Sequence, residues 1–548
     1  MADLNQTCRI TGKSFVVTDW EQQLLDGMEI PYPTICIDER HRRRLAHRNE
    51  RSIYQDECDM CGKSIISVYS KDKLFKVYCQ DCWWSDKYDS SEYGRDFDFS
   101  RGFFEQFKEL RLEVPRIALL NTRAHNSEFC NITTDNKNCY LVFGGDFNED
   151  SMYSIFNFHS RDVSDVYWCE ECELIYDCIN CEKCYNSKYA QNCNACRDSA
   201  FLFECRSCSN CFGCVGLRGK EHHIFNKPYS KEEYEKKVAT FKIHTWSGVQ
   251  HMKSEFKKFR LHFPHRDALL VNCENSTGEN ILNSKNCENC FDVMGCEDVK
   301  DCLVVPECKD VLSCDHVGYK AEKYYECVGS ITGLNCAFCT FSWFGYNNYY
   351  SDMVTSCHDM FGCSQMKKRE YCILNKSYSK EEYEKLRARI IEHMKETGEW
   401  GEFFPMELSL FAYNETVAQD LFPLNKNECV KRGLKWHDEE RYEIGSGPQI
   451  PDSNDDITDN LLEETLVCEK TGRPYRLVPQ ELKFYRRMRV PVPHFAPETR
   501  NNLRMAERLP RKSWSRPCSK CSTLVTSSYA PNRSEQVFCE GCYLKEVY

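Results

Sequence analysis

From residue 127 onward the chain repeats in threes. Every third residue from Ser127 to Cys214 is Cys, Ser, Ala, Gly, Asn, Thr, Val, Ile or Leu, and none of these 30 positions is charged or aromatic. The pattern returns from Gly278 to Val317, where Cys290, Val293, Cys296, Val299, Cys302, Val305, Cys308, Val311 and Cys314 succeed one another. After a slip of one residue it resumes at Cys327 and continues through Cys336, Cys339, Ser342, Gly345 and Cys357 to Cys363. Within it Cys169, Cys181, Cys193 and Cys205 are twelve apart, as are Cys172, Cys184, Cys196 and Cys208. A short fixed period is the signature of a solenoid. Twelve extended residues at about 3.3 Å each close a perimeter of only about 40 Å, so the inward positions admit small side chains alone, and cysteine is compact and readily buried.

The two ladders belong to a duplication offset by about 149 residues: Phe107 to Pro115 recurs as Phe256 to Pro264, and Asn226 to Lys236 as Asn375 to Lys385. Ser230 with Glu233, and Ser379 with Glu382, have the spacing of capping boxes and predict closing helices of about 12 to 18 residues. The domains read as 103–245 and 251–397 for the two solenoids, then 398–437, whose Trp400, Phe403, Phe404, Phe411, Tyr413 and Phe422 are expected to pack on the second solenoid. Residues 438–463, acidic with several Gly and Pro, read as a flexible linker.

The two ends, 1–88 and 464–548, match at a constant offset of 460. Cys58, Cys61, Cys79 and Cys82 fall on Cys518, Cys521, Cys539 and Cys542, a C-x2-C-x17-C-x2-C spacing in both copies. Two Cys-x2-Cys knuckles complete a closed tetrathiolate site, the form structural zinc prefers, so one Zn2+ per module and two per chain are expected, as fold staples without an open catalytic position. Cys8, Gly12-Lys13, Phe15, Glu21-Gln22, Cys36-x3-Arg40 and Val77-Tyr78-Cys79-x2-Cys82 resemble the small bacterial proteins with two zinc ribbons in tandem, over residues 6–84 and, less closely, 466–544. That family's first ribbon uses four cysteines, but Thr11 and Glu39 stand in two of those positions here, and the second copy keeps only Cys468 beside Thr471, Ala496 and Thr499. The first site is therefore expected to be lost in both copies, and the resemblance implies zinc and binding rather than chemistry. The solenoids in turn resemble the twelve-residue β-helix of beetle antifreeze proteins over 127–214 and 278–363. The likeness is in repeat architecture and not in the outward Thr-Cys-Thr array that binds ice. The fold class is thus mainly β with peripheral helices: two tandem Cys-rich β-solenoids flanked by zinc ribbons.

Each end also carries an arginine ladder, Arg40, Arg44, Arg48 and Arg51 in one and Arg500, Arg504, Arg508 and Arg511 in the other, at steps that share one helical face. Residues 464–548 have a net charge of +8, whereas 1–88 have −1. Such a face could track phosphates, with Tyr54, Trp83, Trp84, Trp514 and Tyr543 available to stack on bases. Charge runs are more often a solvated face, and these arginines read also as one, pairing with nearby carboxylates and packing their stems on the ribbon.

Composition bounds the rest. The chain has 548 residues, 41% hydrophobic, with a net charge of −12, and no apolar run reaches the roughly 18 residues of a membrane span. A polar N-terminus predicts a reducing, cytoplasmic setting for the 38 cysteines. Three readings of the thiol ladder stay open: reduced packing, disulfides between cysteines six apart such as Cys290/Cys296, Cys302/Cys308, Cys172/Cys178, Cys205/Cys211 and Cys208/Cys214, or a metal-thiolate array. The usual catalytic motifs are absent, and Asp162, Asp165, Asp177 and Asp198 form at most an acidic row on one face. The expected function is a non-enzymatic scaffold whose ribbons bind nucleic acid or a protein partner. The alternatives are a purely structural or protein-interaction protein and a metal or redox protein that uses the thiols.

Overall fold

The computed structural model describes residues 2–165, 167–170, 173–176, 178–315, 320–438 and 447–547. Cys172, Asp177, Val317 and the side chains of Cys169 and Cys181 lie outside the described residues. The chain is mainly β, and its solenoids together make about 19 turns. Strands pair in parallel with a twelve-residue register, as in Tyr167↔Ile179, Ala190↔Leu202 and Val293↔Val305. The ladder extends beyond the sequence pattern, from Asn121–Thr122 to Glu221–Ile224 and from Leu270–Val271 to Glu370–Ile373, the latter starting with an eleven-residue coil in which Leu270 pairs with Ile281. Each solenoid closes with an antiparallel hairpin strand, Lys227–Pro228 and Lys376–Ser377. The register also shows the slip read from the sequence: Lys309 pairs with Glu322, thirteen residues on.

The period of three has a backbone cause. The residue before most inward positions is held in the left-handed region, as at Asp135, Asn138, Leu141 and Asp150, with φ of 54°, 52°, 53° and 52°; Phe129 and Phe341 are exceptions. Four such residues per twelve-residue coil turn the chain four times. Asn, Asp and Gly accept this conformation most easily, and they recur at the corners. Their side chains then stack from coil to coil: Asn335 Nδ2 donates to Asn347 Oδ1 at 2.9 Å, and Asn347 Nδ2 to Asp359 Oδ1 at 3.0 Å. Asn126, Asn138 and Asp150 repeat the arrangement, as do Asn275, Asn286 and Asp298. In each run an amide passes its donor along and a carboxylate ends the series.

Inward thiols do more than fill space. Cys302 donates to the carbonyls of Lys300 and Val311 at 3.1 and 3.7 Å, Cys296 to those of Met294 and Val305 at 3.4 and 3.1 Å, and Cys339 to those of Ala337 and Asn348 at 3.4 and 2.9 Å. One S–H thus has two carbonyls within reach, two residues before and nine after. Ser151 and Asn148 use the same nine-residue contact, reaching the carbonyls of Ser160 and Asn157. Many inward positions thus hold side chains that are small and can also donate, which Cys, Ser and Asn share, while Val293, Val299, Val305 and Val311 alternate with them as purely apolar fillers. All described cysteines are free thiols, so the disulfides considered at six-residue spacing do not form among them. Burial pushes the Cys130 thiol up to about 12 and Cys139 up to about 11.

The flanking segments tie the solenoids to the ribbons. Both capping boxes form, and they open the helices Lys231–Thr240 and Lys380–Glu396. The first is shorter than expected, because the chain breaks and restarts under a new N-cap at Thr245. Trp400, Phe403 and Phe404 pack in one core with Phe338, Tyr350 and Phe361 of the second solenoid. Residues 447–463, expected as a free linker, are packed instead: Ser247 N–H donates to Asp452 Oδ1 at 2.7 Å, Asn454 Nδ2 donates to the Tyr485 carbonyl at 3.0 Å, and Ile457 and Leu461 are buried.

The two ends cross. Val77–Tyr78 of the N-terminal ribbon extends the start of the first solenoid by pairing with Arg116–Ile117, and Val537–Phe538 of the C-terminal ribbon pairs likewise with His265–Arg266 at the start of the second. The apolar faces go the other way. Leu25 and Trp83 share a core with Phe338 and Tyr350 of the second solenoid, while Leu482 and Tyr485 share one with Met152 and Phe201 of the first. No helix among the described residues is long and apolar enough to cross a membrane.

Candidate metal centres and the buried arginine ladders

The first knuckle sits in a hairpin turn between Tyr54–Glu57 and Ser64–Ser67. Gly62 N–H closes the turn onto the Cys58 carbonyl at 2.8 Å with φ of 72°, so the two thiols of Cys58 and Cys61 point to one side. In the second copy Ser522 takes the same left-handed place with φ of 62°. The second knuckle ends a short strand, and Cys79 N-caps the helix Gln80–Trp84 that carries Cys82. The four sulfurs of Cys58, Cys61, Cys79 and Cys82 lie within 4.8 Å of one another, and so do those of Cys518, Cys521, Cys539 and Cys542.

The donor set fits a tetrahedral metal. Zinc–sulfur bonds of about 2.3 Å place sulfurs about 3.8 Å apart on a tetrahedron, and Cys61 to Cys79 is 3.9 Å while Cys521 to Cys539 is 3.7 Å. Backbone N–H groups point at the sulfurs: Cys79 N to Cys58 Sγ at 3.2 Å, Cys82 N to Cys79 Sγ at 3.4 Å, and Cys539 N to Cys518 Sγ at 3.3 Å. Such donors stabilise thiolate, the form a metal needs. At Cys58, burial pushes the thiol up, but the N–H groups of Cys79, Cys61 and Met60 outweigh it and bring it down to about 7. At Cys521 the Thr523 hydroxyl and N–H bring it down to about 6. These two are the only such groups among the described residues, and no three described solenoid thiols converge in this way.

The first-ribbon positions keep remnants. Cys8 and Cys36 are buried, the Thr11 hydroxyl lies 3.8 Å from Cys36 Sγ, and the Glu39 carboxylate is taken by Arg42 at 2.6 Å. In the other copy Cys468 lies 3.4 Å from the Thr499 hydroxyl.

The arginine ladders do not face outward, which corrects the phosphate-tracking expectation for these residues. Arg44 Nε donates to Asp315 Oδ2 at 2.6 Å with neither side chain exposed, and Arg40 reaches the Tyr325 hydroxyl at 3.4 Å. Arg48 binds Glu50 at 2.6 Å and the Val328 carbonyl at 3.0 Å, and Arg51 binds Asp420 at 2.8 Å. In the second ladder Arg500 holds the Tyr485 hydroxyl at 2.6 Å and Glu481 at 3.3 Å, Arg504 binds Asp165 at 2.9 Å, and Arg511 binds Asp292 at 2.8 Å. Arg508 ends the helix Pro497–Glu507 half-buried and lines a cavity where the C-terminal ribbon meets both solenoids. Helical spacing places the guanidinium groups on one face, but it does not say whether that face meets water or buried carboxylates. Of the aromatics considered for stacking, Trp83 is fully buried with its indole N–H on Gln365 at 3.0 Å, Tyr543 bonds Glu204 at 2.5 Å, Tyr54 bonds Glu415, and Trp514 is half-buried. Trp84 alone of the five is exposed.

The acidic row also disperses. Asp165 is buried against Arg504, Asp162 pairs with Arg487 at 2.6 Å, and Asp198 accepts from Asn186 at 2.8 Å. Asp165 and Asp315 were not singled out together in the sequence, although they lie 150 residues apart, close to the offset of the duplication. Comparison with protein-family models, with curated proteins and with solved structures finds no match.

Proposed function

We propose that the protein is a non-enzymatic scaffold in which two structural zinc ions staple the terminal ribbons and the ribbons cross-brace the two solenoids into one rigid body for a protein partner. The crossed docking carries this reading: each ribbon extends the start of one solenoid and locks its arginine helix onto an aspartate of the other. Such bracing fixes the relative position of surfaces far apart in sequence, which is what a scaffold must do. The test is hydrogen exchange on the Cys58→Ser, Cys61→Ser chain. Loss of one metal should speed exchange at 325–328 of the second solenoid, more than 240 residues away in sequence. Unchanged exchange there would overturn the proposal.

A second reading, nucleic-acid binding by the C-terminal ribbon, draws on its net charge of +8 and on exposed Lys483, Arg486 and Arg489. Its carriers are these surface residues and not the ladder. It predicts binding of a labelled single-stranded oligonucleotide that weakens steeply with salt and is lost when these three become alanine.

A further inference from the structure

The lost metal site of the N-terminal ribbon retains Cys8 and Cys36, which pack with Ile35 in one small buried cluster. Cys8 Sγ accepts the backbone N–H groups of Cys36, Thr11 and Ile10, and the Thr11 hydroxyl touches both sulfurs. Cys36 N-caps the helix Ile37–Leu45, so its sulfur lies at the positive end of that helix beside the Glu39 N–H and against the Cys8 thiol. Both side chains are buried, at 1% and 5% exposure, yet the turn that Cys8 opens, Arg9 to Lys13, is itself exposed. The duplicated ribbon provides an internal contrast. There Ala496 stands where Cys36 would be, so Cys468, which meets the hydroxyls of Thr471 and Thr499 and the N–H groups of Ala496 and Lys470, has no cysteine in the place of Cys36.

We propose that Cys8 and Cys36 form a redox-active dithiol that exchanges with a low-molecular-weight disulfide and closes to an intrachain disulfide. Cys8 attacks one sulfur of the small disulfide, forming a mixed disulfide and releasing one thiolate. Cys36 then loses its proton to that thiolate and attacks the Cys8 sulfur, displacing the second thiolate, which takes a proton from water. The protein pair is oxidised by two electrons, and one small disulfide is reduced to two thiols. The roles follow from the surroundings. Burial alone would push Cys8 up, but three N–H donors and the Thr11 hydroxyl bring it down to about 6, whereas burial and the neighbouring Cys8 push Cys36 up. One group is the thiolate and the other keeps the proton. Closure would bind the knuckle covalently to the helix that carries Arg40 and Arg44.

The test uses the full zinc-loaded chain in glutathione buffers from fully reduced to fully oxidised, trapped with iodoacetamide and mapped by mass spectrometry. The expected result is a Cys8–Cys36 linked peptide that grows with oxidation, no intrachain linkage at Cys468, and Cys8 trapped as a glutathione mixed disulfide in Cys36→Ser. The proposal is overturned if Cys8 and Cys36 are both alkylated after unfolding at every buffer ratio. It is also overturned if the linked cysteines are those of the tetrathiolate centres instead, or if Cys8 in Cys36→Ser stays unmodified.

Discussion

Arg44 and Asp315 meet at 2.6 Å with neither side chain exposed, and 150 residues earlier Asp165 receives Arg504 at 2.9 Å in the same way. The two arginines are themselves 460 residues apart and equivalent in the duplicated ribbons. One clamp is thus built twice, each time between a ribbon and the solenoid it does not extend.

Removing one partner of such a buried pair leaves an uncompensated charge, at a cost of about 3 to 5 kcal/mol. Asp315→Ala and Asp165→Ala should each lower stability by about that amount in urea unfolding, and faster hydrogen exchange should localise to Ile37–Leu45 in the first and Pro497–Glu507 in the second. Losses under about 1 kcal/mol would mean that the clamps do not hold the ribbons.

The corner ladders separate two effects at one residue. Asn347 has φ of 53° and sits between Asn335 and Asp359. Both Asn347→Gly and Asn347→Ala remove the hydrogen bonds, but Gly relieves the left-handed strain while Ala keeps a Cβ there, a difference of about 1 kcal/mol. Thermal unfolding should therefore rank Ala below Gly, the reverse of the usual order in extended or helical structure.

The interior makes a matching prediction. Cys302→Ser keeps a donor for the carbonyls of Lys300 and Val311 and should be tolerated better than Cys302→Leu, which overpacks the coil by about 1 to 3 kcal/mol. Equal effects in chemical denaturation would show that the coil has slack.

Glu279 gives a dependence on pH. It lines the junction cavity with Oε1 accepting the Leu269 N–H at 3.3 Å and Oε2 buried without a partner, and burial pushes its carboxyl up to about 8, helped by Glu204, Asp292 and Asp267. A folded-state value above the unfolded one of about 4.3 means that the folded chain holds the proton more tightly. The resulting stability is present below about pH 4 and is lost as pH rises to about 8. Glu279→Gln should flatten that part of the profile, and unfolding midpoints measured from pH 5 to pH 9 would show it.

Much of this was legible in the sequence because it is periodic. Small residues at every third position announce the solenoids, and eight cysteines at fixed spacing announce the two four-thiol groups. Partners chosen across long distances were not legible. The arginines share a helical face, but Asp165 and Asp315 look like any other acidic solenoid residues until the ribbons are docked. The left-handed corners escaped because only some carry Asn, Asp or Gly, while Tyr153 and Phe156 adopt the same conformation with φ of 57° and 52°. Residues 447–463 read as free because Gly, Pro and acidic residues make up about half of them, and the buried apolar anchors, Ile457 and Leu461, are too sparse to form a pattern.

The most direct test of the central claim is elemental analysis of the chain purified at low salt, with zinc, other metals and phosphorus read against the 51 sulfurs that 38 cysteines and 13 methionines fix. The scaffold account predicts two zinc ions per 51 sulfurs, no further metal and no phosphorus. Phosphorus in quantity would show bound nucleic acid, and metal well beyond two ions would show a thiolate array within the solenoids. Either result would contradict it.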